Sequence, residues 1–267
     1  MAEYEKTLLV YLDIMGFKKM VEDSQRDYSK VDEIIDMLKK VKARTSMSFK
    51  RVITSRMSAD SMTPRDFSDL VVRITTLGLN PTEHKRFISD EFFMLAAIQC
   101  ELFLESGILL RGAMCIDDLY LEKDIVFGPA LVKAYEFEKS IAVFPRIVVD
   151  PKSCLLHEES GFARMVSAGI LQRGDDGAYF IDYLHFSYFS MFVMSEFKKH
   201  ETQMLERHKM QVETKLKELA GQDERVKQKS LWLALYHNSV LKRLIVENPG
   251  KMEMFMELLI SEKQLEI

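Results

Sequence analysis

Short apolar runs closed by turn residues alternate with stretches of helical period through the first 150 residues, and this alternation narrows the fold to a sheet with helices packed on it. Residues 7–12 (Thr-Leu-Leu-Val-Tyr-Leu) end in Asp13 and suit a strand buried on both faces, with Gly16 supplying the following turn. Residues 30–43 set Val31, Ile34, Ile35, Leu38 and Val41 at helical spacing behind Ser29, a suitable cap. Residues 45–66 are polar and irregular and predict no element. Phe67 to Ile74 reads as a strand that begins with Ser68-Asp69, and Asn80-Pro81 as loop chemistry. The pattern predicts a helix over 88–105, capped by Ser89 and stopped by Gly107. Ile108–Ile116 is a strand, and Leu119–Phe127 its hairpin partner across an acidic turn. Gly128-Pro129 opens another helix, and Pro145–Asp150 is a strand.

The order β, α, β, α, β, β, α, β implies an α/β or α+β sandwich, here taken as α+β, with helices on one face of a sheet. Gly174-Asp175-Asp176-Gly177 is a turn before a short strand at 178–182. From 186 onward the pattern is helical, which divides the chain into 1–185 and a C-terminal helical region, 186–267. The charged stretch 195–219 reads as a solvated helix, with a dimer helix as the alternative.

Composition removes several classes of function. At 47% hydrophobic and 29% charged residues this is an ordinary globular chain, and a net charge of −4 gives no overall basic field for nucleic acid. Three widely spaced cysteines form no CxxC pair, which argues for a reducing compartment. With no apolar stretch of about 20 residues and no signal-peptide pattern at MAEYEK, the expected location is cytoplasmic. The six histidines show no HExxH spacing; His200 and His208 read as solvated on a charged helix, and His237 as a helix-packing residue. The seventeen methionines are scattered and read as core filler.

The residues that carry chemistry are two aspartates at strand ends. Asp13 closes the first strand and Asp69 opens the strand at 67–74, so antiparallel pairing would bring both to one end of the sheet. A lone strand-end Asp is ordinarily a turn former. Two converging carboxylates suit Mg²⁺ with a polyphosphate. Backbone amides around Gly16 and Phe17, at a helix N-terminus, suit phosphate, and Lys18 and Lys19 add positive charge.

Tyr11-Leu12-Asp13-Ile14-Met15-Gly16-Phe17 resembles the first metal-binding motif of class III nucleotidyl cyclases, and Phe67-Ser68-Asp69 the second. Several further segments make the chain most similar to the bacterial pyrimidine cyclases of Pycsar antiphage systems. These are Gly107 to Ala113, Val126 to Leu131 with Ala134-Tyr135 and Glu138, Pro145 to Asp150, and Trp232-Leu233-Ala234 with Tyr236-His237-Asn238. The resemblance implies a ferredoxin-like cyclase core in residues 1–185, working as a homodimer with sites at the subunit interface. It implies conversion of UTP to 3′,5′-cyclic UMP and pyrophosphate, or of CTP to cyclic CMP, with the product activating a separate effector. It implies two Mn²⁺ or Mg²⁺ ions held by Asp13, Asp69 and the backbone carbonyl of Ile14.

Arg111 is the first choice for the cation at the α-phosphate, and Arg65, four residues before Asp69, for reading the pyrimidine. Lys50 and Arg51 are weaker candidates, and Arg146 reads as a structural arginine paired with a carboxylate. Two departures stand out. Val132 and Glu136 occupy the helix positions where purine cyclases carry an Asn and the transition-state Arg, and Asp117 or Asp118 stands where the hairpin often has a Gly. The alternatives are a catalytically silent nucleotide-binding or dimerisation module of the same fold, and a phosphotransferase or polymerase palm.

Overall fold

The computed structural model describes residues 3–46, 62–67, 69–77, 81–122, 125–152, 165–185, 202–219 and 221–265. The sheet is built around β1 (Glu5–Ile14), whose apolar residues are buried on both faces. β1 pairs antiparallel with β3 (Leu70–Thr76) on one side and with β4 (Leu110–Glu122) on the other. β2 (Met62–Phe67) extends the β3 edge; β6 (Ile147–Val149) runs parallel to β4, followed by β8 (Tyr179–Ile181) and β7 (Leu171–Arg173). β5 (Ile125–Phe127) folds back on the end of β4. Helices α1 (Phe17–Ser24) and α2 (Ser29–Thr45) follow β1, and α3 (Pro81–Ser106) separates β3 from β4. The sheet order β2-β3-β1-β4 is the 2-3-1-4 arrangement of a ferredoxin-like βαββαβ unit. The α+β class read from the sequence is therefore the observed one.

Helices on one face of the sheet is the expectation that fails. Leu8, Val10, Leu12 and Ile14 of β1 join the large core with Met37 and Val41 of α2 and Phe92, Leu95 and Phe103 of α3. Leu9 and Tyr11 point the other way, to a second core with Cys115, Ala130 and Ala134. That second core is roofed by α4 (Pro129–Ser140). The small side chains of Ala130 and Ala134 let α4 approach closely, and the Cys115 thiol donates to the Ala130 carbonyl at 3.3 Å. A strand with apolar residues on both faces needs a cover on each, which excludes the one-sided sandwich.

Three further boundaries move. The expected acidic turn at Asp117-Asp118 is continuous strand, because Lys6 sits opposite Asp118 on β1 and pairs with it at 2.7 Å. Lys133 reaches Asp117 from α4 at 3.4 Å. Helix α3 begins at Pro81, whose fixed φ suits a first turn, so Ser89 lies within the helix rather than at its cap. Asp69 lies in the β2–β3 turn and not on a strand. Gly107 does end α3, with φ 64° and its amide donating to the Phe103 carbonyl.

The C-terminal helices α5 (Gln203–Lys217), α6 (Glu224–Glu247) and α7 (Met252–Glu257) pack into the same core as the sheet. His208 on α5 is fully buried, which corrects its reading as a solvated residue. The helix is charged, but Met204, Leu205, His208 and Val212 recur at helical spacing on an inward face. His200 lies outside the described residues.

His208 and His237 of α6 form a one-way hydrogen-bonded chain. His237 Nε2 faces the Leu258 carbonyl at 3.0 Å and so carries the proton, which makes its Nδ1 an acceptor. His208 Nδ1, 3.0 Å away, must then donate, and its Nε2 accepts from the Tyr183 hydroxyl at 2.7 Å. Every ring nitrogen is used with both imidazoles neutral. Burial pushes His208 well below the ordinary histidine value, and His237 down to about 4. The unfolded chain protonates near 6.5, before the folded one, so stability is full above pH about 6.5 and is lost as pH falls from there toward 4. Urea unfolding should show the folded state losing up to about 1.4 kcal/mol per pH unit per histidine across that window. A stability that stays flat between pH 7 and 5.5 would mean that the pair is already charged in the folded protein.

Candidate active site

The last residues of β1 bring the chemistry together. In the register of β1 and β4, Asp13 lies directly opposite Arg111, and Leu12 opposite Gly112. Gly112 is required by this close approach, since a Cβ there would stand 2.3 Å from the Tyr11 carbonyl oxygen. Arg111 Nε donates to Asp13 Oδ2 at 2.7 Å, and its Nη2 pairs with Glu138 Oε1 at 2.8 Å. Glu138 reaches the site from α4, one turn beyond Tyr135, whose ring meets Tyr11 edge-on at 6.0 Å. Arg111 is thus shared between two carboxylates.

The β2–β3 turn sits beside this cluster. The Ile14 amide donates to the Asp69 backbone carbonyl at 3.1 Å, and β3 brings Leu70 opposite Asp13. Burial raises the Asp13 carboxyl above its ordinary value; Arg111 opposes that shift, and the negative charge of Asp69 adds to it. Burial likewise raises Glu138, against the pull of Arg111 and with Asp13 adding to the rise. Tyr11 is raised by burial and then by the charges of Glu138 and Asp13. Such mutual electrostatic pressure among carboxylates is the setting a divalent cation relieves.

After β1 the chain turns at Gly16, whose φ of 84° is the left-handed conformation that glycine tolerates, and Phe17 opens α1. Phe17 packs against the core. Lys18 points to solvent, 92% exposed and 3.7 Å from Glu22, whereas Lys19 donates to Gln222 Oε1 at 2.9 Å. Arg65 pairs with Val72 across β2 and β3, but its side chain lies outside the described residues, as do Lys50 and Arg51 altogether. Val132 and Glu136 are exposed on α4. Arg146 is 2% exposed, donates to Asp176 and to the Ile141 carbonyl, and lies against the rings of Phe144, Phe180 and Trp232. It has the structural role, with a carboxylate partner, that the sequence suggested.

The donor set fits a hard cation brought in with phosphate oxygens. Among the described residues no group of three or more His, Cys, Asp or Glu side chains is placed to hold a metal. One or two carboxylates are what Mg²⁺ ordinarily takes when a polyphosphate supplies the remaining oxygens, a number that Asp13 and Asp69 would match. Burial pushes the Cys115 thiol up to about 12, away from the thiolate form.

The sequence assigns Glu138 no role of its own, and its helical spacing from Tyr135 is the signal that points to it. No helix among the described residues is long and apolar enough to cross a membrane.

No protein-family model matches the chain, and neither does any curated protein. A solved structure similar to it is the catalytic core of a rhodopsin-guanylyl cyclase with converted specificity in complex with ATPalphaS. The two are 14% identical, with a TM-score of 0.36, over 67% of this chain and 96% of the other.

Proposed function

We propose that this chain is a nucleotidyl cyclase that converts UTP to 3′,5′-cyclic UMP and pyrophosphate. The observation that carries the reading is the meeting of Asp13 and the Asp69 turn at one end of a ferredoxin-like sheet, joined by the hydrogen bond from the Ile14 amide to the Asp69 carbonyl. In the reaction the ribose 3′-oxygen bonds to the α-phosphorus, the bond to the bridging α,β-oxygen breaks, and the 3′-hydroxyl proton leaves to solvent. Asp13, Asp69 and the Ile14 carbonyl would hold Mn²⁺ or Mg²⁺, two ions in this reading, which would lower the 3′-hydroxyl pKa and neutralise leaving-group charge. Gly16 and Phe17 bring backbone amides toward the phosphates, and Lys18 contributes long-range positive charge from solvent. Arg111 holds Asp13 in place, while in this reading Arg65 reads the pyrimidine.

In this reading residues 1–185 are the catalytic domain, 186–267 a helical region built onto it, and the protein a cytoplasmic homodimer. Its product activates a separate effector in an antiphage response. Exposed Ile125, Phe127, Val132 and Tyr135 around α4 support a self-association surface.

One observation favours a silent cyclase-fold module instead: α4 lacks an arginine at Glu136, and Arg111 is engaged by two carboxylates. Incubation of the purified protein with ATP, GTP, CTP and UTP and Mn²⁺ separates the readings. Cyclic UMP with pyrophosphate is the expected result, and cyclic CMP would reassign the base. No product from any of the four overturns the enzyme.

A further inference from the structure

We infer that Lys229, on the first turns of the C-terminal helix α6, is a free cation of this site among the described residues and receives the triphosphate of the substrate. The inference rests on the nucleotide-binding reading above and adds a residue to it. Two anchors, one before α6 and one along it, tie the helix to the elements around the site. Lys19, on the helix that follows Asp13, donates to Gln222 at 2.9 Å, just before α6 begins. Asp223 caps α6 by accepting from the Val226 amide at 2.9 Å. Further along, the Trp232 ring stacks on Phe144 at 5.5 Å and 7°, in the segment that leaves α4 beyond Glu138. Lys229 lies between these anchors, one turn before Trp232, and is half-buried.

The charges around Lys229 agree with this placement. Burial lowers its ammonium, and Arg111 lowers it further, while Asp223 and Asp13 oppose the shift and Arg225 adds to it. Lys229 in turn acts on both Asp13 and Glu138. Among the described residues it makes no hydrogen bond and no ion pair. A half-buried ammonium without a partner is costly unless a ligand supplies the counter-charge. Arg111 already has two carboxylates, so its capacity for phosphate is largely taken, whereas that of Lys229 is not. Lysine serves as a point-charge phosphate binder, which this position requires. Helix α6 thereby completes a site whose carboxylates come from β1, the β2–β3 turn and α4.

The test measures binding to the full-length protein with Mn²⁺, using tripolyphosphate, an α,β-imido analogue of UTP, and UMP. Lys229→Ala should weaken tripolyphosphate and the analogue by about 10- to 100-fold, leave UMP within about threefold, and be rescued by Lys229→Arg. The inference is overturned if Lys229→Ala binds tripolyphosphate as the parent does, if it weakens all three ligands equally, or if the parent itself does not bind tripolyphosphate. Failure of the cyclase reading is seen separately. A parent that gives no cyclic product but loses tripolyphosphate on Lys229→Ala keeps this phosphate site without the cyclase. A cyclase whose Lys229→Ala form binds normally keeps the function without this site.

Discussion

Asp69→Asn is expected to remove cyclic-nucleotide production by at least about a thousand-fold while leaving the protein folded. Asp69 lies in the β2–β3 turn rather than in a ladder, and its backbone carbonyl, not its side chain, accepts from Ile14. An amide keeps the shape of the carboxylate but removes the charge that would hold a divalent ion, so the loss falls on rate. Melting should shift by less than about 1 kcal/mol equivalent. Asp13→Asn should be as inactive, with Arg111 keeping Glu138 as its charged partner. Product assays with Mn²⁺ alongside thermal melts decide it. An Asp69→Asn protein that still turns over would remove Asp69 from the metal-holding pair.

Glu91→Ala should cost about 3–5 kcal/mol, a fall in melting temperature on the order of 10 °C for a chain of this size. Arg73 of β3 is 4% exposed and Glu91 of α3 is 3% exposed. They form a bidentate pair, Nε to Oε1 at 2.5 Å and Nη2 to Oε2 at 2.9 Å. Arg73 Nη1 also donates to the Thr45 carbonyl at the end of α2, so one guanidinium ties the sheet to two helices. Burial lowers the pKa of that guanidinium, but Glu91 outweighs the effect and holds it raised. Removing Glu91 strands a buried positive charge that cannot neutralise itself at ordinary pH. The double variant Arg73→Met, Glu91→Leu should recover most of the loss, because apolar replacement of a whole buried pair is often neutral. If Glu91→Ala melts with the parent, water reaches Arg73 and the pair is not buried in solution.

Much of the fold was legible because its signals are local. Apolar runs with period 2, or with apolar residues on both faces, and helical periods of 3.6 are set by neighbouring residues, as are the stops at Gly16, Gly107 and Gly128-Pro129. The two aspartates stood out as candidates for the same reason, as carboxylates in short motifs, although Asp69 lies in the β2–β3 turn rather than on a strand. Asp117-Asp118 misled because an acidic pair signals a turn locally, and the lysine that keeps it in a strand lies on β1. His208 misled because a helix dense in charge still turns one face inward.

By itself, then, the sequence determined the α+β class, the central two-faced strand and the candidacy of Asp13 and Asp69. Only the tertiary structure decided that α4 covers the second face and that Arg111 is shared by Asp13 and Glu138. The reason is physical: an ion pair or a covering helix depends on distance in space, and Arg111 meets Asp13 across 98 residues of chain that no local period can read.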